Sequence, residues 1–150
     1  MFLERKIRTR RGRRRARIAA FGAASIAYAC LIFYASSLSS APETIRPFFL
    51  DLDTLAHFME FALFGALLFM TFAHAGWRPW DAPTAAALGM AYGAVDEIHQ
   101  MFVPGRSADP IDGAVDALGV LVAVLVLAYL DRRIYPSASP VVPQNSGKRN

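Results

Sequence analysis

The chain has 150 residues, and its 55% content of hydrophobic residues is too high for an ordinary soluble domain. The length is that of one domain, and a single cysteine excludes an internal disulfide and a cysteine-rich zinc site. The net charge of +4 is unevenly distributed, because nine of the sixteen Lys and Arg residues lie within residues 5–17.

The first segment is a basic arm at residues 1–17, followed directly by an uncharged block from Ile18 to about Leu38. At about 1.5 Å per residue, this block is long enough to span a hydrocarbon core of about 30 Å. A cleaved signal peptide would normally have an apolar core of only about 7–15 residues. We therefore expect a retained transmembrane helix, and a mobile basic arm attracted to anionic lipid rather than to nucleic acid.

A second apolar block covers residues 51–73, and the turn after it contains two tryptophans, which are typical of a membrane interface. Asp81 can cap a third helix, with Pro83 in its first turn. We expect this helix to continue to about Val103, because Pro and Gly follow directly at residues 104–105.

The fourth helix is predicted to start at Asp109 and Pro110, which suit the N-cap and the first helical position. It continues through the last apolar block, and the polar residues 134–150 are expected to form a disordered tail. The sequence therefore predicts an all-α membrane domain at residues 18–133, built as a bundle of four transmembrane helices.

The basic residues also predict the orientation of this bundle. The N-terminal arm holds nine of them and the C-terminal flank holds four, whereas each of the three loops between helices holds one. Because Lys and Arg are enriched in cytoplasmic segments, we expect both termini in the cytoplasm. The first and third loops then face the outside of the membrane.

This orientation places an unusual set of polar side chains in the outer half of the domain. Ionisable residues are rare in membrane spans and mark functional sites, since each costs about 2.5–3.5 kcal/mol near the bilayer centre. At 100° per residue, those of the second helix and those of the fourth helix each fall within an arc of about 60°. We therefore expect the whole set to face inward: Asp53, His57, Glu60, Asp96, Glu97, His99, Gln100, Arg106, Asp109, Asp112 and Asp116.

One interpretation of this set is a divalent metal site. Carboxylates and histidines one helical turn apart can bind metal between facing helices. His57 with Glu60, and Asp96 with His99, have this spacing and are the candidate ligands.

A second interpretation is acid–base chemistry on a bound substrate. Crowding of like charges at Asp96 and Glu97 favours a retained proton on one of them. Glu97, His57 and His99 are then the candidate acid and base, and Arg106 would bind a phosphate or carboxylate group. Further binding residues would be Asp53, Glu60, Asp96, Gln100, Asp112 and Asp116. The third interpretation is a purely structural polar network that joins the helices.

The same residues resemble the VanZ-like family of small integral membrane proteins. The motifs are D-x-x-x-H-x-x-E-F at 53–61, D-E-x-H-Q-x-F-V-P-G-R at 96–106 and D-x-x-x-D-x-x-G at 112–119. The resemblance covers about residues 20–130. One departure is Asp116, where the family often has Asn; Asp adds a charge and keeps an oxygen that can act as a ligand.

The resemblance implies a multi-pass protein of the bacterial cell envelope, located in the plasma membrane. The member that gives the family its name is associated with resistance to the glycopeptide teicoplanin, but a shared fold does not transfer that role to this chain. The expected function is binding of, or action on, an envelope lipid or lipid-linked precursor. The alternatives are a structural or assembly partner of an envelope complex and a small proton- or cation-coupled carrier, which would need polar residues in the inner half as well.

Overall fold

Four helices and no strand make up the part of the chain that the computed structural model describes, which is residues 2–38, 52–76, 79–106 and 109–134, with side chains at 9–38, 54–76, 79–106 and 109–133. The helices are α1 (Phe2–Ser36), α2 (Leu52–Ala75), α3 (Asp81–Gln100) and α4 (Pro110–Ile134). The predicted all-α fold is confirmed. The tail predicted beyond Ile134 lies outside the described residues.

α1 is longer than the apolar block from which it was predicted. It begins at Phe2 and continues without interruption to Ser36, over 35 residues. Arginine and alanine are strong helix formers, so the basic segment extends the helix at its N-terminal end. The segment that was expected to be a mobile arm is therefore helical from Phe2 onward.

α3 differs from its prediction at both ends. It begins at Asp81 itself, and its N-cap residue Trp80 makes no side-chain capping hydrogen bond. The helix ends at Gln100 rather than near Val103, because the chain then passes into tight turns that lead to Pro104.

Three helices are long and apolar enough to cross a membrane, at Thr9–Ser36, Thr54–Ala75 and Pro110–Arg133. Large apolar side chains such as Ile26, Leu63 and Leu125 are exposed on their surfaces, as expected for residues that contact lipid. α3 is less apolar, since its last two turns carry several ionisable residues. The chain is therefore a membrane protein with three helices of clear spanning character.

α2 lies at the centre of the fold and packs against the three other helices. α1 runs antiparallel to it, because Ser25 lies 3.3 Å from Thr71 and Arg14 binds the carbonyl oxygen of Ala75. α3 runs parallel to α1, since the Ser36 hydroxyl donates to Asp96 near the ends of both helices.

α4 runs parallel to α2, with Asp116 beside His57 and Val120 beside Gly65. The ends of α1 and α3 therefore meet the starts of α2 and α4, and we call this end the polar end. The opposite end, which includes the start of α1 and the end of α2, is called the basic end. Between them lies an apolar core cluster of Ile32, Phe61, Phe64, Phe69, Ala85, Val120 and Val124.

The contact between α2 and α4 depends on a glycine. A Cβ atom added at Gly119 would lie 2.4 Å from the carbonyl oxygen of Phe58 and 3.0 Å from the backbone nitrogen of Ala62. No side chain fits at that distance, so the two backbones touch at this point. Small residues at helix contacts favour this kind of packing in membranes.

We expect Gly119→Ala to destabilise the protein by about 1–3 kcal/mol, because the added methyl group would force α2 and α4 apart. Gly22→Ala is the matched control, since its Cβ atom would meet only the Thr71 methyl group at 3.8 Å. Thermal unfolding of both variants in mild detergent, followed by circular dichroism, measures the difference. Equal unfolding temperatures would show that the α2–α4 contact does not limit stability.

Candidate functional site

A cavity of about 100 Å³ lies at the polar end, between α1, α2, α3 and the segment that follows α3. We call it the polar cavity. Five of its lining residues belong to the predicted set: His57, Glu60, Asp96, Gln100 and Arg106. The remaining lining residues are Ile32, Ala35, Ser36 and Ala56. The fold thus brings together residues that are up to 74 positions apart in the sequence, counted from Ile32 to Arg106.

Asp96 is the most fully bonded carboxylate of the cavity. One of its oxygens accepts a hydrogen bond from the Ser36 hydroxyl at 2.7 Å, and the other accepts from the Gln100 amide at 2.9 Å. The side chain is buried, and burial of a charge is tolerated when hydrogen bonds compensate for lost water. Asp96 therefore ties the end of α1 to the end of α3.

The imidazole ring of His57 is oriented by a contact with Asp116. Its Nδ1 lies 3.2 Å from the Asp116 carboxylate, which is completely buried. When Asp116 is ionised, it only accepts hydrogen bonds, and the His57 Nδ1–H is then the donor of this pair. The bond fixes the plane of the imidazole ring in the cavity wall. The second Asp116 oxygen is buried and has no hydrogen-bond partner within the described parts of the chain.

Arg106 reaches the cavity because of the turn that precedes it. The Arg106 backbone N–H donates to the Val103 carbonyl at 3.1 Å, and Gly105 has φ of 80°. Pro104 and Gly105 thus occupy the positions that proline and glycine favour in a type II turn. The turn reverses the chain after α3, and it places the half-buried Arg106 side chain in the wall of the cavity.

Glu97 and His99, two of the candidate acid–base residues, do not line the polar cavity. Glu97 accepts a hydrogen bond from the Asp109 backbone N–H at 3.0 Å, so it joins α3 to the start of α4. His99 stacks on the Phe33 ring with centroids 4.3 Å apart, and its Nε2 lies 2.9 Å from the Ser37 hydroxyl. Consecutive helical residues point about 100° apart, so Glu97 faces away from the cavity that Asp96 lines.

The other predicted acidic residues have separate positions. Asp109 caps α4 as predicted, because its side chain accepts from the Ile111 N–H at 2.8 Å and Pro110 is the first helical residue. Asp112 lies half-buried in the first turn of α4 and is not part of the cavity lining. Asp53 belongs to the first turn of α2, and its side chain is outside the described residues.

The four candidate metal ligands are divided between two places. His57, Glu60 and Asp96 line the polar cavity, whereas His99 packs against Phe33. Within the described ranges, no three His, Cys, Asp or Glu side chains form a group that could hold a metal ion. The cavity instead combines carboxylates with an amide and a guanidinium group, a donor and acceptor set suited to a polar organic ligand.

Ser36 and Ser37 were not predicted as site residues, although both bond to the polar set. Ser36 binds Asp96, and Ser37 binds His99. A signal was present in the sequence, since the two hydroxyls end the first apolar block at the depth of the acidic residues. Serines are common in membrane helices and carry no charge, so the position of these two did not mark them as site residues.

The VanZ/LLP1 family model matches residues 21–131. The chain belongs to the VanZ/LLP1 family. The matched region of this VanZ-like protein includes the whole lining of the polar cavity and excludes the arginines before residue 21. No curated protein and no solved structure matches the chain.

We expect Asp116→Ala to destabilise the protein by about 1–3 kcal/mol, because it would remove the carboxylate that contacts the buried His57 ring. Asp116→Asn keeps the shape of the side chain and an oxygen that accepts from His57, so its cost should be smaller. Thermal unfolding of the two variants in detergent measures this order. An Asn variant as unstable as the Ala variant would mean that the charge of Asp116, rather than its hydrogen bond, holds His57.

Proposed function

We propose that this VanZ-like protein crosses a bacterial plasma membrane four times and binds the polar head of an envelope lipid or lipid-linked precursor in the polar cavity. Both termini would be cytoplasmic, and the cavity would open towards the outer leaflet. The observation that carries the proposal is the cavity itself, where Arg106, His57, Glu60 and Asp96 meet at one end of apolar helices.

The direction of the helices supports α3 as the fourth span. α2 and α4 both have spanning character and both start at the polar end. α3 connects the end of α2 with the start of α4, so it must return through the same layer. Its 20 residues correspond to about 30 Å, the thickness of a hydrocarbon core. Asp96 and Gln100 in its last two turns are buried against other helices rather than exposed to lipid.

The charges of the cavity suit a phosphate-bearing headgroup. The Arg106 guanidinium can form paired hydrogen bonds with phosphate oxygens. His57, with its orientation fixed by Asp116, can donate to or accept from a group bound beside it. Glu60 is half-buried in the same wall and can bind an amine or hydroxyl group of the ligand.

The apolar core cluster favours binding over transport. A proton or cation carrier needs ionisable groups on both sides of the membrane centre. Between the polar cavity and the basic end, however, the cluster consists of Phe, Val, Ile and Ala side chains. A ligand that enters from the outer leaflet would therefore be stopped by this apolar cluster and would not reach the basic end.

Titration of the purified protein with a polyprenyl phosphate, followed by native mass spectrometry in mild detergent, tests the proposal. We expect Arg106→Gln to weaken binding about ten- to a hundredfold, because a hydrogen bond to a charged group contributes about 1.5–3 kcal/mol. Arg132→Gln is the matched control, since Arg132 is exposed and lies at the basic end. His57→Ala should also weaken binding.

Equal affinity in wild type, Arg106→Gln and His57→Ala would contradict a headgroup site in the cavity. Failure of the wild-type protein to bind the polyprenyl phosphate, or phosphatidylethanolamine tested in parallel, would also contradict it. Either result would favour the alternative role as an assembly partner in the envelope.

A further inference from the structure

A second cavity, of about 240 Å³, lies at the basic end and has a lining of basic residues: Arg10, Arg13, Arg14, Arg17 and His74. We call it the basic cavity. We propose that it binds the phosphate group of an anionic membrane lipid, at the membrane surface next to the N-terminal half of α1. This site is independent of the polar cavity, which lies at the other end of the helices.

The four arginines form one face of α1. Their spacing of three, four and seven residues places them within an arc of about 100°. Like charges at this spacing repel one another on a helix surface, and the repulsion is relieved by a shared anion. Arg11 and Arg15 lie outside this arc and do not line the cavity. The clustering on one face therefore distinguishes the basic cavity from a general excess of positive charge.

Arg14 fixes this face against the end of α2. Its Nε donates to the His74 carbonyl at 2.8 Å, and its terminal nitrogen donates to the Ala75 carbonyl. These carbonyls belong to the last turn of α2, where the helix dipole favours a cation. Gly76 follows with φ of 71°, and a Cβ atom there would lie 2.7 Å from the Arg14 guanidinium. The glycine thus permits Arg14 to reach the helix end.

His74 forms the opposite wall and is itself held in place. Its Nδ1 donates to the Met70 carbonyl at 2.7 Å, and its ring lies 5.2 Å from the Phe21 ring. Because Arg14 is engaged with backbone carbonyls, the exposed Arg10, Arg13 and Arg17 supply the charge for a ligand. Arg14 and His74 are therefore held in place before an anion binds, which lowers the entropy cost of ordering these two walls of the cavity.

The position of the arginines indicates a lipid as the source of the phosphate. Arg17 directly precedes Ile18, where the uncharged block begins. The arginine face therefore lies at the level where lipid headgroups meet the hydrocarbon core, and basic pockets at this depth bind anionic headgroups. The VanZ/LLP1 match begins at residue 21, so this face belongs to a part of the chain that the family model does not cover.

The test compares two double variants of the full chain that remove the same charge. Arg10→Gln/Arg17→Gln alters the basic cavity, and Arg11→Gln/Arg15→Gln alters the same helix outside it. Native mass spectrometry, after titration with phosphatidylglycerol in a neutral detergent, measures the affinity of each protein. We expect the cavity variant to bind about tenfold more weakly, because two charge-assisted contacts are lost, and the control to stay close to wild type.

Several outcomes would overturn the proposal. An equal loss in both double variants would show general electrostatic attraction rather than a site. Binding of inorganic phosphate, without selective binding of phosphatidylglycerol, would assign the cavity to a soluble anion. Circular dichroism of both variants checks that α1 remains helical. Repeating the comparison of the two double variants in an Arg106→Gln background removes the contribution of the polar cavity, and loss of the difference between them in that background would contradict the assignment to the basic cavity.

Discussion

The close contact of α2, α3 and α4 around Val120 is the constraint on which the rest of the structure depends. A Cβ atom at Gly65 would lie 3.0 Å from the Val120 Cα atom, and one at Gly89 would lie 2.7 Å from its side chain. Val120 is completely buried between these two glycines. Because interiors are close-packed, this contact sets the register of three helices at once. His57 and Asp116, two turns and one turn further towards the polar end, meet as a consequence of that register.

Charged side chains have different surroundings at the two ends of the protein. At the polar end, carboxylates and a histidine are buried and contact other side chains, as in the bonds of Asp96 with Ser36 of α1 and with Gln100 of its own helix. At the basic end, the arginines whose side chains the structure describes stay exposed, and Arg14 among them donates to the carbonyls that end α2. Lipid can stabilise exposed arginines through its phosphates, whereas it offers nothing comparable to a buried carboxylate.

The sequence predicted four helices and five of the residues that line the polar cavity, but not the direction of every side chain. Asp109 and Pro110 start α4 as expected, because capping is a local interaction. By contrast, the sequence did not show that Asp96 lines the cavity whereas Glu97 and His99 do not. Which of these residues faces the cavity depends on the rotation of α3, and that rotation is set by its packing on Val120 rather than by its own sequence. The helical state of residues 2–17 was also missed, since a basic run is compatible with both a helix and an extended arm.

The two buried carboxylates next to the cavity differ in how completely they are hydrogen-bonded. Both oxygens of Asp96 accept hydrogen bonds from uncharged donors on α1 and α3, so this carboxylate holds the ends of the two helices together. Asp116 contacts His57 through one oxygen, and its other oxygen has no hydrogen-bond partner among the residues that the structure describes. Asp96 therefore joins two helices through both of its oxygens, whereas Asp116 uses one oxygen to orient His57 in the cavity wall.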